Sequence, residues 1–168
     1  ILEETIKELN GKIANAGPLG AEMSALNDYE RAALLLLDDV EIEGNYVQKQ
    51  GTSNLLDHPF LNDLQSSLFQ PPDPESITRK ELRELVRKGY VIDRNGIFFS
   101  AAAITEATKI ISSLLIEKPE GVTVAEIRIA LNTSRKYALP LLNHLDEIGV
   151  TIRRDSVRIA GKRLNENI

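Results

Sequence analysis

The sequence predicts an α+β fold, mainly helical, made of tandem units in which a helix-turn-helix is followed by a β-hairpin wing, that is, tandem winged helices. Three observations predict it. Residues 81–99 and 141–159 align without gaps at an offset of 60, placing Leu82 on Leu142, Leu85 on Leu145, Gly89 on Gly149, Ile92 on Ile152 and Arg94 on Arg154. Such repetition marks a chain assembled from like units. Each copy reads as an amphipathic helix, a glycine stop and two short strands, and Asn95-Gly96 is a strong two-residue hairpin turn. Thr123 followed by Glu126 is a capping box, which opens another helix just upstream of the second copy.

Three units are expected, over residues 1–51, 52–102 and 103–168. In the first, helices at 2–13 and 21–37 precede a hairpin over 40–47 that turns near Gly44. On this reading the unit begins part-way through, with its opening helix and strand missing. Ile rather than Met at position 1 agrees, and a piece of a longer chain is expected. Residues 48–54 read as a linker. In the second unit His58-Pro59 marks a helix start, Pro71, Pro72 and Pro74 punctuate a loop, and Thr78 with Glu81 makes another capping box.

The third unit has apolar residues at Ile104, Ala107, Ile110, Ile111, Leu114 and Leu115, which is helical spacing over 103–117. Residues 118–121 break it, Val122-Thr123 is extended, and the capped helix runs to Leu131. Asn132-Thr133 turns the chain, and Thr133 or Ser134 caps a last helix that ends before Gly149. Pro140 falls inside that helix, so either the helix bends or residues 134–139 form a separate turn. Asp155-Ser156 holds the hairpin-turn position and is the weaker signal, because Ser resists positive φ. Units this small are expected to share burial with their neighbours.

Composition narrows the function. The 168 residues are 42% hydrophobic and 27% charged, with no Cys, two His and a net charge of −5. Disulfides, cysteine–zinc sites and thiol nucleophiles are excluded, and no metal site or catalytic residue is expected. No apolar run reaches the ~18 residues of a membrane span. A reducing, cytoplasmic setting is expected. Charge is unevenly placed: residues 1–120 hold 12 Lys/Arg against 20 Asp/Glu, and residues 121–168 hold 8 against 5. The basic end suits an anionic partner.

In a helix-turn-helix the second helix usually meets nucleic acid. Here it opens Asn132-Thr133-Ser134-Arg135-Lys136-Tyr137, where free amides, the two hydroxyls of Thr133 and Ser134 and two cations could take phosphate and Tyr137 a base. The hairpin adds Arg153, Arg154 and Arg158. The middle hairpin offers Asp93, Arg94, Ile97 and Phe98 instead, which fits a spacer or auxiliary role. Residues 38–43 of the first unit (Asp-Asp-Val-Glu-Ile-Glu) should repel phosphate. Exposed Arg and Lys are also commonly just solvated, and winged helices also mediate protein contacts. A DNA-binding regulator, which is usually a dimer on paired half-sites, and a protein-interaction spacer therefore remain alternatives.

The run Thr133-Ser-Arg-Lys-Tyr-Ala-Leu-Pro-Leu-Leu142, with residues 121–128 before it and Leu145-Asp146 and Gly149-Val-Thr-Ile-Arg-Arg154 after it, resembles the last winged helix of bacterial selenocysteine-specific translation elongation factors. Pro71-Pro72-Asp73 and the hairpin from Gly89 resemble the unit before it. The resemblance covers roughly residues 55–163 and is confined to layout over 1–50. It implies an arm that binds the mRNA hairpin marking a UGA codon for selenocysteine, through Ser134, Arg135, Lys136, Arg153, Arg154 and Arg158, with Tyr137 either contacting RNA or packing. It also implies a monomer whose GTPase body, with GTP and Mg, selenocysteinyl-tRNA and the ribosome as partners, lies upstream. No Gly-x-x-x-x-Gly-Lys-Ser/Thr loop occurs in this chain.

Overall fold

The computed structural model describes residues 1–17, 19–49 and 55–164, which fall into two compact units, 1–58 and 59–168. Of the expected linker, residues 50–54 lie outside the described residues, and Gln48 and Lys49 end a strand.

The first unit runs α1 (Leu2–Ala14), β1 (Ala21–Glu22), α2 (Asp28–Ala33), β2 (Val40–Glu43) and β3 (Tyr46–Lys49). The antiparallel sheet has the order β1-β3-β2. Leu9, Ile13, Leu26, Leu34 and Val47 form its core. The long helix expected over 21–37 does not form. Ala21 and Glu22 pair instead with Val47 and Tyr46, a 3-10 turn follows at Met23–Ala25, and Asn27 starts a new helix by accepting the Glu30 amide at 2.9 Å. An N-cap residue inside an apolar run was the signal for that break. Another 3-10 turn, Leu34–Leu36, ends the segment.

Gly20 makes the approach of β1 to β3 possible. Its φ is +88°, and a Cβ there would stand 2.3 Å from the Val47 carbonyl oxygen. Gly20→Ala is therefore expected to destabilise the first unit by about 2 kcal/mol or more, from the backbone strain and the clash together, read as a lower urea midpoint at unchanged slope.

The second unit begins with α3 (Pro59–Ser67), α4 (Arg79–Arg87), β4 (Val91–Arg94) and β5 (Ile97–Ser100). It continues with α5 (Ala101–Glu117), β6 (Val122–Thr123), α6 (Val124–Ala130), α7 (Arg135–Glu147), β7 (Thr151–Arg154) and β8 (Val157–Ala160). Both capping boxes, Thr78/Glu81 and Thr123/Glu126, form with both reciprocal bonds. Ser100 caps α5 by accepting the Ala103 amide at 3.1 Å, so the two halves join without a linker.

The repeat is a repeat of geometry. Gly89 and Gly149 both have φ of 84°. The Tyr90 amide bonds the Leu85 carbonyl at 3.0 Å, and the Val150 amide bonds Leu145 at 2.9 Å, the helix ending that needs a left-handed residue. Both residues of Asn95-Gly96 take positive φ, whereas at 155–156 only Asp155 does. The register survives that difference, since Arg94 faces Ile97 as Arg154 faces Val157. Pro140 lies within α7, which is one continuous helix; the separate turn does not form.

The last sheet has the order β6-β8-β7, matching β1-β3-β2 of the first unit. The first unit therefore has the helix and strand expected to be missing: α1 and β1 stand where α5 and β6 stand. Between β1 and its hairpin it has the 3-10 turn and α2, where the C-terminal half has α6 and α7.

The two halves of the second unit share one core. Phe69 and Phe99 of the first half pack in a cluster with Ile111, Ile127, Leu141, Leu142 and Leu145 of the second. Removing apolar surface from water is the main drive for this docking.

Candidate nucleic-acid interface

The turn before α7 is held from below. Asn132 takes φ of 51° and the Thr133 amide bonds the Arg128 carbonyl at 3.1 Å, ending α6. The Thr133 hydroxyl, buried, donates to the Phe69 carbonyl at 2.6 Å, and Gln70 Nε2 donates to the Asn132 carbonyl at 2.8 Å. Thr133 is thus spent on the middle half and does not cap α7. Ser134 occupies the cap position with no side-chain capping bond, and its hydroxyl is exposed. Among the described residues the amides of Arg135 and Lys136 have no acceptor. An exposed helix start with unsatisfied donors and two cations attracts anions.

Arg135 and Lys136 are exposed, as expected. Tyr137 is half-buried against the shared core, and Lys136 Nζ lies 5.1 Å from its ring centroid. The ring packs and carries a cation over its face, so it does not present a free platform for a base.

Arg153 and Arg154 are exposed and, among the described residues, have no ion pair or side-chain hydrogen bond. Neighbours on a strand point to opposite faces, so the two cations reach from two sides of the wing. Arg158 is a correction to the expected contact set. It is 2% exposed, and its guanidinium grips Asp146: Nε lies 3.2 and 3.1 Å from the two carboxylate oxygens, and Nη2 is 3.0 Å from Oδ2. The Thr151 hydroxyl donates to Asp146 Oδ1 at 2.6 Å. Arg158 is interior structure and leaves the contact set. A signal existed: the 60-residue offset puts Arg158 on Phe98, on the hairpin face that buries Val91 and Ser100.

The middle hairpin is disarmed. Arg94, the counterpart of Arg154, forms an ion pair with Glu147 at the end of α7. His144, one turn earlier, is half-buried. Burial lowers its pKa and the Arg94 charge lowers it further, against a smaller opposite pull from Glu147. The folded protein therefore favours the neutral ring. This stabilisation is full above the unfolded-state pKa of about 6.5 and is lost as pH falls through that value toward the lower folded one. His144→Gln should flatten the decline of stability below about pH 6.5, measured by urea unfolding at stepped pH.

Among the described residues no cluster of three His, Cys, Asp or Glu side chains is placed to hold a metal ion, and no helix is long and apolar enough to cross a membrane.

Residues 113–160 match the family model described as elongation factor SelB, winged helix. That segment runs from within α5 through β8 and contains Arg135, Lys136, Arg153, Arg154 and Arg158, but not Arg94. Among solved structures the chain is similar to a bacterial selenocysteine-specific elongation factor, EF-Sec, at 21% identity and a TM-score of 0.61. The match covers 96% of this chain and 29% of that one, so the chain spans under a third of the factor's length. It is also similar to the mRNA-binding domain of elongation factor SelB from E. coli, solved in complex with SECIS RNA. There the identity is 25%, the TM-score 0.45, and the coverage 50% of this chain and 69% of that one. No curated protein matches the chain. The matched segment has the helix order and three-stranded sheet of a winged helix.

Proposed function

We propose that the C-terminal half is the RNA-binding winged helix of a selenocysteine-specific elongation factor, and that it takes the mRNA hairpin directing selenocysteine insertion at UGA codons. The observation that carries this reading is the set of four exposed cations, Arg135, Lys136, Arg153 and Arg154, left without internal carboxylates in the segment that matches the SelB winged helix. In the same segment Lys118 and Arg158 are each neutralised by a carboxylate. The Ser134 hydroxyl and the first amides of α7 complete one phosphate site, and the wing makes a second. A folded RNA offers phosphates on two strands, which two separated sites can grip together.

The role is binding rather than catalysis. GTP, Mg, selenocysteinyl-tRNA and ribosome contacts belong to the body of the longer factor, because the residues of this chain do not fit a nucleotide site: they include no phosphate loop. A cytoplasmic monomer completes the reading. A DNA-binding regulator finds no support among the matched proteins.

A titration against three probes at two salt concentrations tests it: a hairpin from just downstream of a UGA selenocysteine codon, a linear RNA of equal length, and duplex DNA. The hairpin should bind tightest, with four phosphate contacts giving a salt slope of about 3. Equal affinity for duplex DNA, or no hairpin binding at either salt, overturns the proposal.

A further inference from the structure

We infer that Asp146 is a positioning residue for the RNA-binding wing: it draws Arg158 into the interior and so leaves the edge of the hairpin to Arg153. The inference rests on the proposed RNA-binding role. Arg153 and Arg158 are directly opposed in the β7–β8 register. Directly opposed residues of an antiparallel pair project from the same face with Cβ atoms about 5 Å apart, and like charges so placed repel. Yet one of these guanidiniums is exposed and the other is 2% exposed. The difference is Asp146, which comes from α7 and not from the sheet. Its two oxygens accept from Arg158 Nε and Nη2 at 3.0–3.2 Å, and its Oδ1 also accepts the Thr151 hydroxyl from the start of β7. One carboxylate therefore ties both wing strands to the helix whose tip carries Arg135 and Lys136. It fixes the separation of the two phosphate sites and cancels the charge that faces Arg153.

Charge alone and positioning predict opposite signs. Removing a carboxylate from a polyanion-binding domain should tighten RNA binding if only net charge matters. On the positioning account, Asp146→Asn leaves Arg158 unneutralised opposite Arg153, and the wing loses its aim. The experiment is a hairpin-RNA titration at several salt concentrations on the full chain, with folding checked by circular dichroism at the binding temperature. Asp146→Asn should weaken binding about tenfold and lower the salt slope by about 0.8, the share of one phosphate. A purely structural role would not move that slope in protein that stays folded. Adding Arg158→Met to Asp146→Asn removes the stranded cation and should restore most of the affinity. Thr151→Val, which deletes one bond to the same carboxylate, serves if Asp146→Asn fails to fold, and should weaken binding two- to threefold. Binding by folded Asp146→Asn as tight as wild type, or no change with Thr151→Val where that variant is the one read, overturns the inference. Absence of wild-type hairpin binding would instead overturn the RNA reading beneath it.

Discussion

Replacing Arg153 and Arg154 together by Ala should weaken binding of the RNA hairpin roughly 25- to 60-fold at 0.1 M salt, because each lost phosphate contact removes about 0.7–0.9 from the salt slope, referred to 1 M. The slope itself should fall by about 1.4–1.8. Stability should stay within about 0.5 kcal/mol, since both side chains are exposed and neither has a partner among the described residues. A gel-shift titration at several salt concentrations, alongside a urea melt, reads both quantities. Arg94→Ala is the matched control. Arg94 has the same place in the middle hairpin, but Glu147 already neutralises it, so its loss should leave RNA affinity unchanged. Unchanged affinity in the double variant would remove the wing from the interface.

The largest effect on stability is expected from Phe99→Ala. Phe99 is fully buried on β5, and its neighbours in the shared cluster come from α5 and α7 as well as from its own half. Deleting a ring in such a site costs about 3–5 kcal/mol, the transfer free energy plus an unfilled cavity, and should lower the melting temperature of the second unit by roughly 12–20 °C. Because the core is shared, the loss should spread across the halves. Hydrogen exchange should speed up in α7 as well as in β4 and β5, and residues 59–164 should still melt in one transition. If α7 keeps its protection while the middle hairpin loses it, the two halves are energetically separate and the shared core contributes little.

Most of the fold was legible because its signals are local. A capping box spans four residues, a glycine stop sits beside the helix it ends, and an Asn-Gly turn declares itself in two positions. Copies of these signals at an offset of 60 then identified the repeat. The break at Asn27 was misread for the same reason in reverse. Its apolar flanks suit a helix and outweigh the local cap signal of Asn27, and the pairing of Ala21-Glu22 with the distant Val47 and Tyr46 shows why the chain departs from one.

The site was half legible. By itself the sequence determined that the basic residues gather at the end of the chain, that α7 opens with Ser134-Arg135-Lys136, and that the wing carries Arg153 and Arg154. Beyond the alignment of Arg158 with Phe98, it did not separate the free cations from the paired ones. Arg94, Arg153, Arg154 and Arg158 are alike as letters, and what separates them is a carboxylate brought close by folding: Asp146 for Arg158, Glu147 for Arg94, and none among the described residues for the other two. Tyr137 likewise offers a ring that only packing assigns to the core. Local propensity depends on residues a few positions apart, whereas burial and charge pairing depend on residues joined by the tertiary fold, and so the tertiary structure alone decided which arginines face solvent.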